Sequence, residues 1–402
     1  MLFRRAWGAY ARSFTGLSRD VWMLSLVMLV NRSGAMVIPF LAVYLTQELG
    51  FSKMQAGAAM SCFGVGAVAG SLGGGYLSDR FGYYRVQFWS LLLTGAGFLL
   101  LLPLKTFPLF CTGILCLSVV SEAFRPANQV AILMYSHPEF RTRSLSLNRM
   151  AINLGFSIGP ALGGWLAYRL GFQWLFVLDA LTCWGAAILY RLSLKPKTEG
   201  LAGGSGARQD KFAAFRDRSY VVFLFFFMWA SIAFMQFFYV VPVYLQEVFR
   251  MHEAQIGVLI ALNGFMIVLV EMPLVKHLEG RFSKTGLIQA GVVFIAASYL
   301  VYSVSGLWFL GPWLSIVLVT IGEILTLPFA NVLAQQRSSP SNRGAYMALY
   351  ATSFSLAHII APSMGLQVAG RFGYPAVWGL LAVLCAFAMA GIYALRKQME
   401  PV

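Results

Sequence analysis

Negative charge is scarce in this chain. Of its 402 residues only 15 are Asp or Glu, against 30 Lys or Arg, and the four charged types together make up 11%. A soluble domain carries about 25% charged residues. Here 59% of residues are hydrophobic and the mean hydropathy is +0.71, more apolar surface than so few charges can screen from water. Lipid is itself an apolar solvent and removes that difficulty. Composition therefore excludes an ordinary soluble globule and predicts a membrane protein. The net charge of +15 would point to nucleic acid in a soluble protein. Here its distribution along the chain matters more, and no nucleic-acid partner is expected.

Cysteine is also sparse. The five residues, Cys62, Cys111, Cys116, Cys183 and Cys385, form no C-x-x-C pair and lie in apolar runs, which predicts packing roles rather than disulfides or metal ligation. The chain lacks H-E-x-x-H, G-x-S-x-G and a phosphate-binding glycine loop with lysine, so the constellations of a membrane enzyme are missing. Neither a metal nor a cofactor is expected. No cleavable leader is evident: Met1 to Asp20 is basic and amphipathic, and the first apolar run is long enough to remain as a spanning helix.

What the chain has in abundance is apolar runs of about 20 residues, the length that crosses a bilayer. Twelve are expected, at 21–45, 55–77, 86–104, 108–134, 144–168, 172–192, 219–246, 254–275, 285–305, 308–332, 344–368 and 374–395. An even number puts both termini on one side, and the excess of basic residues marks the cytoplasmic loops. With the termini inside, 22 of the 30 basic residues fall on or beside inside segments. The outside segments hold Lys53, Lys105, Arg169, Arg250 and Arg371, and Arg32, Arg125 and Arg149 lie within spans. The long polar stretch 193–218 is Gly-rich and charged and reads as a flexible cytoplasmic linker. It would join a six-helix bundle at 1–192 to a second at 219–402.

The halves echo one another. Leu77, Arg80 and Phe81 match Leu278, Arg281 and Phe282 at an offset of 201, and Glu122 matches Glu323 at the same offset. Pro138, Arg141, Leu147, Pro160, Gly163, Arg169 and Gly171 match Pro340, Arg343, Leu349, Pro362, Gly365, Arg371 and Gly373 at 202. A constant spacing over so many positions indicates duplication. An even number of crossings per unit makes the repeats parallel, related by an axis along the membrane normal.

Two motifs carry a resemblance. Gly75-Tyr76-Leu77-Ser78-Asp79-Arg80-Phe81-Gly82 resembles the motif between the second and third helices of the major facilitator superfamily. Gly75, Leu77, Asp79, Arg80 and Gly82 match, while the basic pair that should follow is replaced by Tyr83 and Tyr84. Gly82 would permit the turn and tight packing, and the resemblance implies a conformational latch at Asp79 rather than a binding site. Gly155-Phe156-Ser157-Ile158-Gly159-Pro160-Ala161-Leu162-Gly163 is similar to the antiporter motif of the same superfamily. Its glycines, four apart, present one face to a close neighbour, and Pro160 kinks the helix. The resemblance covers the whole chain and implies an all-α fold of 12 transmembrane helices in two six-helix repeats. Within the family it resembles the 12-helix drug:proton antiporters.

Ionisable groups inside a span face a cavity or a partner. Seven occur: Arg32, Glu122, Arg125, Arg149, Asp179, Glu271 and Glu323. Arg149 and Glu271 lie near span ends and are expected to snorkel or pair. Glu122 and Arg125 are three apart and can pair on one helix face. Either the pair is a static bridge, or the carboxylate loads and releases a proton as its surroundings alternate. Proton coupling is assigned first to Glu122, then to Glu323, with Asp179 less central. Arg32 and Arg125 would be charge partners or substrate contacts, and the polar residues Asn31, Gln129, Gln236, Tyr239, Thr320 and Asn331 are cavity candidates or helix–helix ties. His358 is a proton relay or a packing residue.

The expectation is a monomeric, proton-coupled exporter of small amphipathic molecules in a bacterial inner membrane. Its partners would be the substrate, protons and the bilayer. The alternative is a carrier of an anionic or zwitterionic solute, an organic acid, sugar phosphate or peptide, since a guanidinium holds carboxylate or phosphate in a fork.

Overall fold

A computed structural model describes residues 16–197, 213–278, 280–304, 309–339 and 342–399. Among the described residues the regular structure is helical: α1 (Arg19–Ser33), α2 (Val37–Gln47), α3 (Lys53–Phe81), α4 (Tyr83–Leu101), α5 (Phe107–Glu122), α6 (Phe124–Tyr135), α7 (Arg141–Leu170), α8 (Gln173–Ser193), α9 (Ala213–Arg216), α10 (Arg218–Tyr239), α11 (Val241–Glu247), α12 (Glu253–Leu278), α13 (Lys284–Val304), α14 (Gly311–Arg337), α15 (Arg343–Phe372) and α16 (Tyr374–Met399), with a short 3-10 turn at Pro138–Phe140.

Among the described residues, eleven helical segments are long and apolar enough to cross a membrane. Three of them are interrupted: α1 with α2, α5 with α6, and α10 with α11. Each interruption precedes a proline by a few residues: Pro39, Pro126 and Pro242. Proline donates no hydrogen bond and collides with the carbonyl four residues back, so the helix restarts with the proline in its first turn. The expected span 344–368 is a helix, α15, of 30 residues, but it is not among the eleven. Thr352, Ser353, Ser355, His358, Ser363 and Gln367 lower its hydropathy, and two of those residues are engaged by neighbouring helices.

Large apolar side chains lie on the outside. Leu192 is 81% exposed, Leu72 73% and Leu100 68%. Water would penalise such a surface and hydrocarbon does not. Helices are required there because lipid offers backbone groups no hydrogen bonds.

Packing among the described residues divides the chain into two compact units: Met1–Val37 with Val65–Gly204, and Ile38–Gly64 with Ser205–Val402. The first has a core of Leu24, Val27, Phe124, Ile132 and Tyr190 drawn from α1, α6 and α8. The second centres on Tyr220, Phe223, Phe227, Phe329 and Leu333 from α10 and α14. This division differs from a cut in the linker, because Ile38–Gly64 packs with the C-terminal half.

The stretch 193–218 reads from its sequence as a flexible linker. Residues 198–212 lie outside the described residues. The part before them is fixed. Tyr84 Oη donates to the Leu194 carbonyl at 3.1 Å, Tyr135 Oη donates to that of Lys195 at 2.7 Å, and Tyr83 Oη accepts the Lys197 N–H at 3.1 Å. Lys197 Nζ pairs with Asp20 at 2.9 Å. Tyr83 and Tyr84 stand where the family motif has basic residues, and here they hold the start of the connection between the halves.

Candidate functional site

In the first unit the interrupted helix α5–α6 presents the pair expected from sequence. Glu122 ends α5, Ala123 breaks the helix, and Arg125 stands in the first turn of α6. Arg125 Nη2 lies 3.2 Å from Glu122 Oε2, with the Glu122 side chain 12% exposed and that of Arg125 60%. A sheltered carboxylate thus carries a partner that reaches out of the shelter. Gln129, one turn after Arg125, is exposed as well.

Arg32 occupies the last turn of α1. Its Nε is buried and meets no hydrogen-bond partner among the described residues, and its guanidinium carbon lies 5.6 Å from the centre of the Phe156 ring. The antiporter-like stripe of α7 packs against this end of α1. A Cβ on Gly155 would come within 2.5 Å of Arg32 Cβ, one on Gly159 within 3.2 Å of the carbonyl oxygens of Ser33 and Ala35, and one on Gly163 within 2.8 Å of Met36 Cβ. Pro160 lies inside α7. The stripe therefore sets how closely α7 approaches the break that carries Arg32.

Asp179 is fully buried in α8, and its carboxylate accepts the backbone N–H of Met36 at 3.0 Å and of Val37 at 3.1 Å. It caps the start of α2. Asn31 faces the same helix and donates to Cys183 Sγ at 3.5 Å. Neither residue is brought to Glu122 by a direct hydrogen bond.

Two features of this unit were not anticipated. Gln87 Nε2 donates to Asn128 at 3.0 Å and Asn128 to Asn148 at 3.4 Å, a buried amide chain linking α4, α6 and α7. In α3, Gly66, Gly70 and Gly74 admit Ser118, Val119 and Ala123 so closely that a Cβ on any of them would clash. The four-residue spacing of those glycines was the available signal.

At the motif between α3 and α4, Gly82 has φ +85 and a Cβ there would meet nothing within 4 Å. It is needed for its left-handed backbone, and not for tight packing. Gly75 likewise has open space. Asp79 and Arg80 are exposed in the last turn of α3, with Arg80 over the Phe81 ring.

In the second unit Asn263 of α12 donates to Glu323 Oε2 at 2.9 Å and to Thr320 Oγ1 at 3.0 Å. Both acceptors are on α14, so Thr320 supports the amide that touches Glu323. Gln236 is fully buried, and its Nε2 donates to the Ala361 carbonyl at 2.9 Å while its Oε1 meets no partner among the described residues. Gly365 makes room for it. Tyr239 Oη lies 2.9 Å from His358 Nδ1. Gln236 and Tyr239 thus tie α10 to α15. Asn331 accepts from Gln335 on its own helix. Among the described residues no group of His, Cys, Asp or Glu is placed to hold a metal ion.

Comparison with known proteins places this geometry. The chain is 24% identical to a Na(+), Li(+), K(+)/H(+) antiporter of Planococcus maritimus, over 92% of this chain and 94% of that protein. It is 24% identical to the multidrug resistance protein MdtH of Yersinia pestis (strain Pestoides F), over 89% of each. Its fold is similar to a crystal structure of a POT family transporter in complex with 5-aminolevulinic acid, with a TM-score of 0.81 at 18% identity, covering 96% of this chain and 98% of that one. The profile of the Major Facilitator Superfamily matches residues 23–362. The chain belongs to the Major Facilitator Superfamily: it is a multi-pass membrane transporter and not an enzyme.

Proposed function

We propose that this transporter is a secondary active exporter of small amphipathic molecules, driven by protons and working by alternating access. The observation that carries the proposal is the Glu122–Arg125 pair at the broken helix α5–α6. Glu122, 12% exposed, keeps the Arg125 cation beside it. A proton on Glu122 would release Arg125 to a substrate or to helix motion, and the return of Arg125 would displace the proton. That exchange couples proton movement to conformational change. Relatives described as a cation/H(+) antiporter and a multidrug resistance protein and the antiporter-like stripe on α7 favour export over uptake.

In this reading the chain crosses the bacterial inner membrane twelve times, α15 included, with both termini in the cytoplasm. Two six-helix repeats at 1–192 and 219–402 are joined by 193–218, and the protein works as a monomer. Glu323, the repeat counterpart of Glu122, is the second proton site, with Asn263 orienting its carboxylate. Asp179 serves as a cap and not as a carrier.

A second reading has its own support. The guanidinium of Arg125, 60% exposed, with Gln129 one turn on, suits a carboxylate or phosphate. Solved structures of similar fold hold a peptide conjugate or 5-aminolevulinic acid. The test is flux in proteoliposomes under an imposed pH gradient, with amphipathic cations, organic acids and peptides as solutes. Gradient-driven movement of the cations, abolished by a protonophore, supports the exporter. Movement of the acids or peptides alone supports the second reading, and no flux of any solute rejects both.

A further inference from the structure

Three amides lie in the interior of the first unit. Gln87 of α4 is fully buried, and Asn128 of α6 and Asn148 of α7 are 2% and 6% exposed. Gln87 Nε2 donates to Asn128 Oδ1 at 3.0 Å, and Asn128 Nδ2 donates to Asn148 Oδ1 at 3.4 Å, so Asn128 is the middle member and is held from both sides. The series ends on Gln87 Oε1, which is buried and meets no partner among the described residues. An unmet buried acceptor costs roughly 1–3 kcal/mol, and apolar side chains of similar size would avoid that cost. What the amides contribute instead is direction, since each bond fixes an angle as well as a distance.

The helix that Asn128 belongs to needs such a fix. Pro126 has no N–H to return to the Glu122 carbonyl, and no side chain caps the start of α6. The backbone therefore carries little of the register of α5 across Ala123. Around the axis of α6, Phe124, Ala127, Asn128, Ala131 and Ile132 are buried, while Arg125 and Gln129 are exposed. Apart from Asn128 those buried side chains are apolar, and apolar contacts are non-directional. Asn128 stands one turn from Arg125 and about 60° around the helix from it. A rotation of that size would put Arg125 where Asn128 now is, and would take its guanidinium from Glu122 Oε2, now 3.2 Å away.

We infer that Asn128 is a positioning residue for Arg125: held between Gln87 and Asn148, it sets the rotation of α6 at which the guanidinium meets the Glu122 carboxylate. The inference rests on the proton-coupling reading of that pair. The three amides carry no charge and transfer no proton, and they act on coupling only through the placement of Arg125.

The test reads which face of α6 is accessible. A thiol is introduced by Gln129→Cys or by Ile132→Cys, with Cys62, Cys111 and Cys116 replaced by Ala and the buried Cys183 and Cys385 retained. Purified protein is labelled with a hydrophilic maleimide. With the amides intact, position 129 should label at least about tenfold faster than position 132, and in Asn128→Ala the ratio should fall below about threefold. Ser90→Ala removes a different bond of α4, to the Val120 carbonyl, and should leave the ratio intact. Replacing Gln87, Asn128 and Asn148 together by Leu leaves none of these polar groups unmet and should still give the low ratio. In proteoliposomes, gradient-driven flux through Asn128→Ala should fall about tenfold while counterflow stays within about twofold. Equal labelling of the two positions with the amides intact, an undiminished ratio in Asn128→Ala, an equal fall in Ser90→Ala or a high ratio in the triple variant would overturn the inference. Labelling needs no solute. A ratio that falls as expected in a protein without gradient-driven flux would sink the transport reading alone, and an undiminished ratio in a protein that does transport would sink the positioning role alone.

Discussion

Asp179 and Met36, 143 residues apart in the chain, meet where the Asp179 carboxylate accepts the Met36 backbone N–H at 3.0 Å. Its second oxygen takes the next amide, that of Val37, at 3.1 Å. Asp179→Ala would leave two buried amides at the start of α2 without acceptors, at roughly 1–3 kcal/mol each. The expected result is a lower melting temperature or loss of folded protein. In whatever protein folds, the pH dependence of transport should be unchanged, as follows for a cap and not for a proton carrier. A shifted pH profile at unchanged stability would reverse that assignment.

Gly155→Ala places a methyl group 2.5 Å from Arg32 Cβ and 2.9 Å from the Arg32 carbonyl carbon. Neither α7 nor the end of α1 can yield without moving main chain. Overpacking of this kind costs about 1–3 kcal/mol, to be read in thermal unfolding of the purified protein. Gly75→Ala, at a position with open space, should shift the melting temperature far less.

Asn263→Ala removes the donor to Glu323 and leaves Thr320 with its bond to the Ile316 carbonyl. The Glu323 carboxylate is then held less firmly between α12 and α14, and initial gradient-driven flux in proteoliposomes should fall severalfold. Wild-type flux in this variant would show that Asn263 does not position Glu323.

Asp217 precedes α10 and caps it, accepting the Tyr220 N–H at 3.1 Å. Arg337 donates to it twice, at 2.6 and 2.9 Å, and Tyr346 Oη once at 3.1 Å. Burial alone would raise its titration point, but these donors outweigh burial and hold the carboxyl below the usual range. A carboxyl depressed in the folded state stabilises the fold above its unfolded value, about 3.9, and loses that contribution as pH falls through the native value. Wild type should melt higher than Asp217→Asn at pH 7, and the gap should close below about pH 4. A gap that persists in acid would contradict the assignment.

The sequence disclosed local relationships better than distant ones. Glu122 and Arg125 were legible as a pair because three residues of helix bring them together. The stripe from Gly155 to Gly163 was legible as a packing face for the same reason. The partners of Asp179, Gln236 and Glu323 were not, since each comes from a different helix and chain order does not say which faces meet. Hydrophobic periodicity, which separates core from surface in water, is weak here because lipid and interior are both apolar. Leu192 at 81% exposure and Leu24 at 1% are the same residue type for that reason. Span 344–368 was read by length, whereas its serines and His358 give α15 a polar face toward α3 and α10. Tyr83 and Tyr84 appeared only as departures from a family motif until their hydroxyls were found on the backbone of Leu194–Lys197.

The central claim, that Glu122 carries the coupled proton against Arg125, is tested most directly by Glu122→Gln in proteoliposomes. Flux driven by a pH gradient and counterflow of solute without a gradient are measured side by side. A glutamine fixes the neutral form, so gradient-driven accumulation should disappear while counterflow continues. Gradient-driven accumulation with the wild-type dependence on pH would contradict the account.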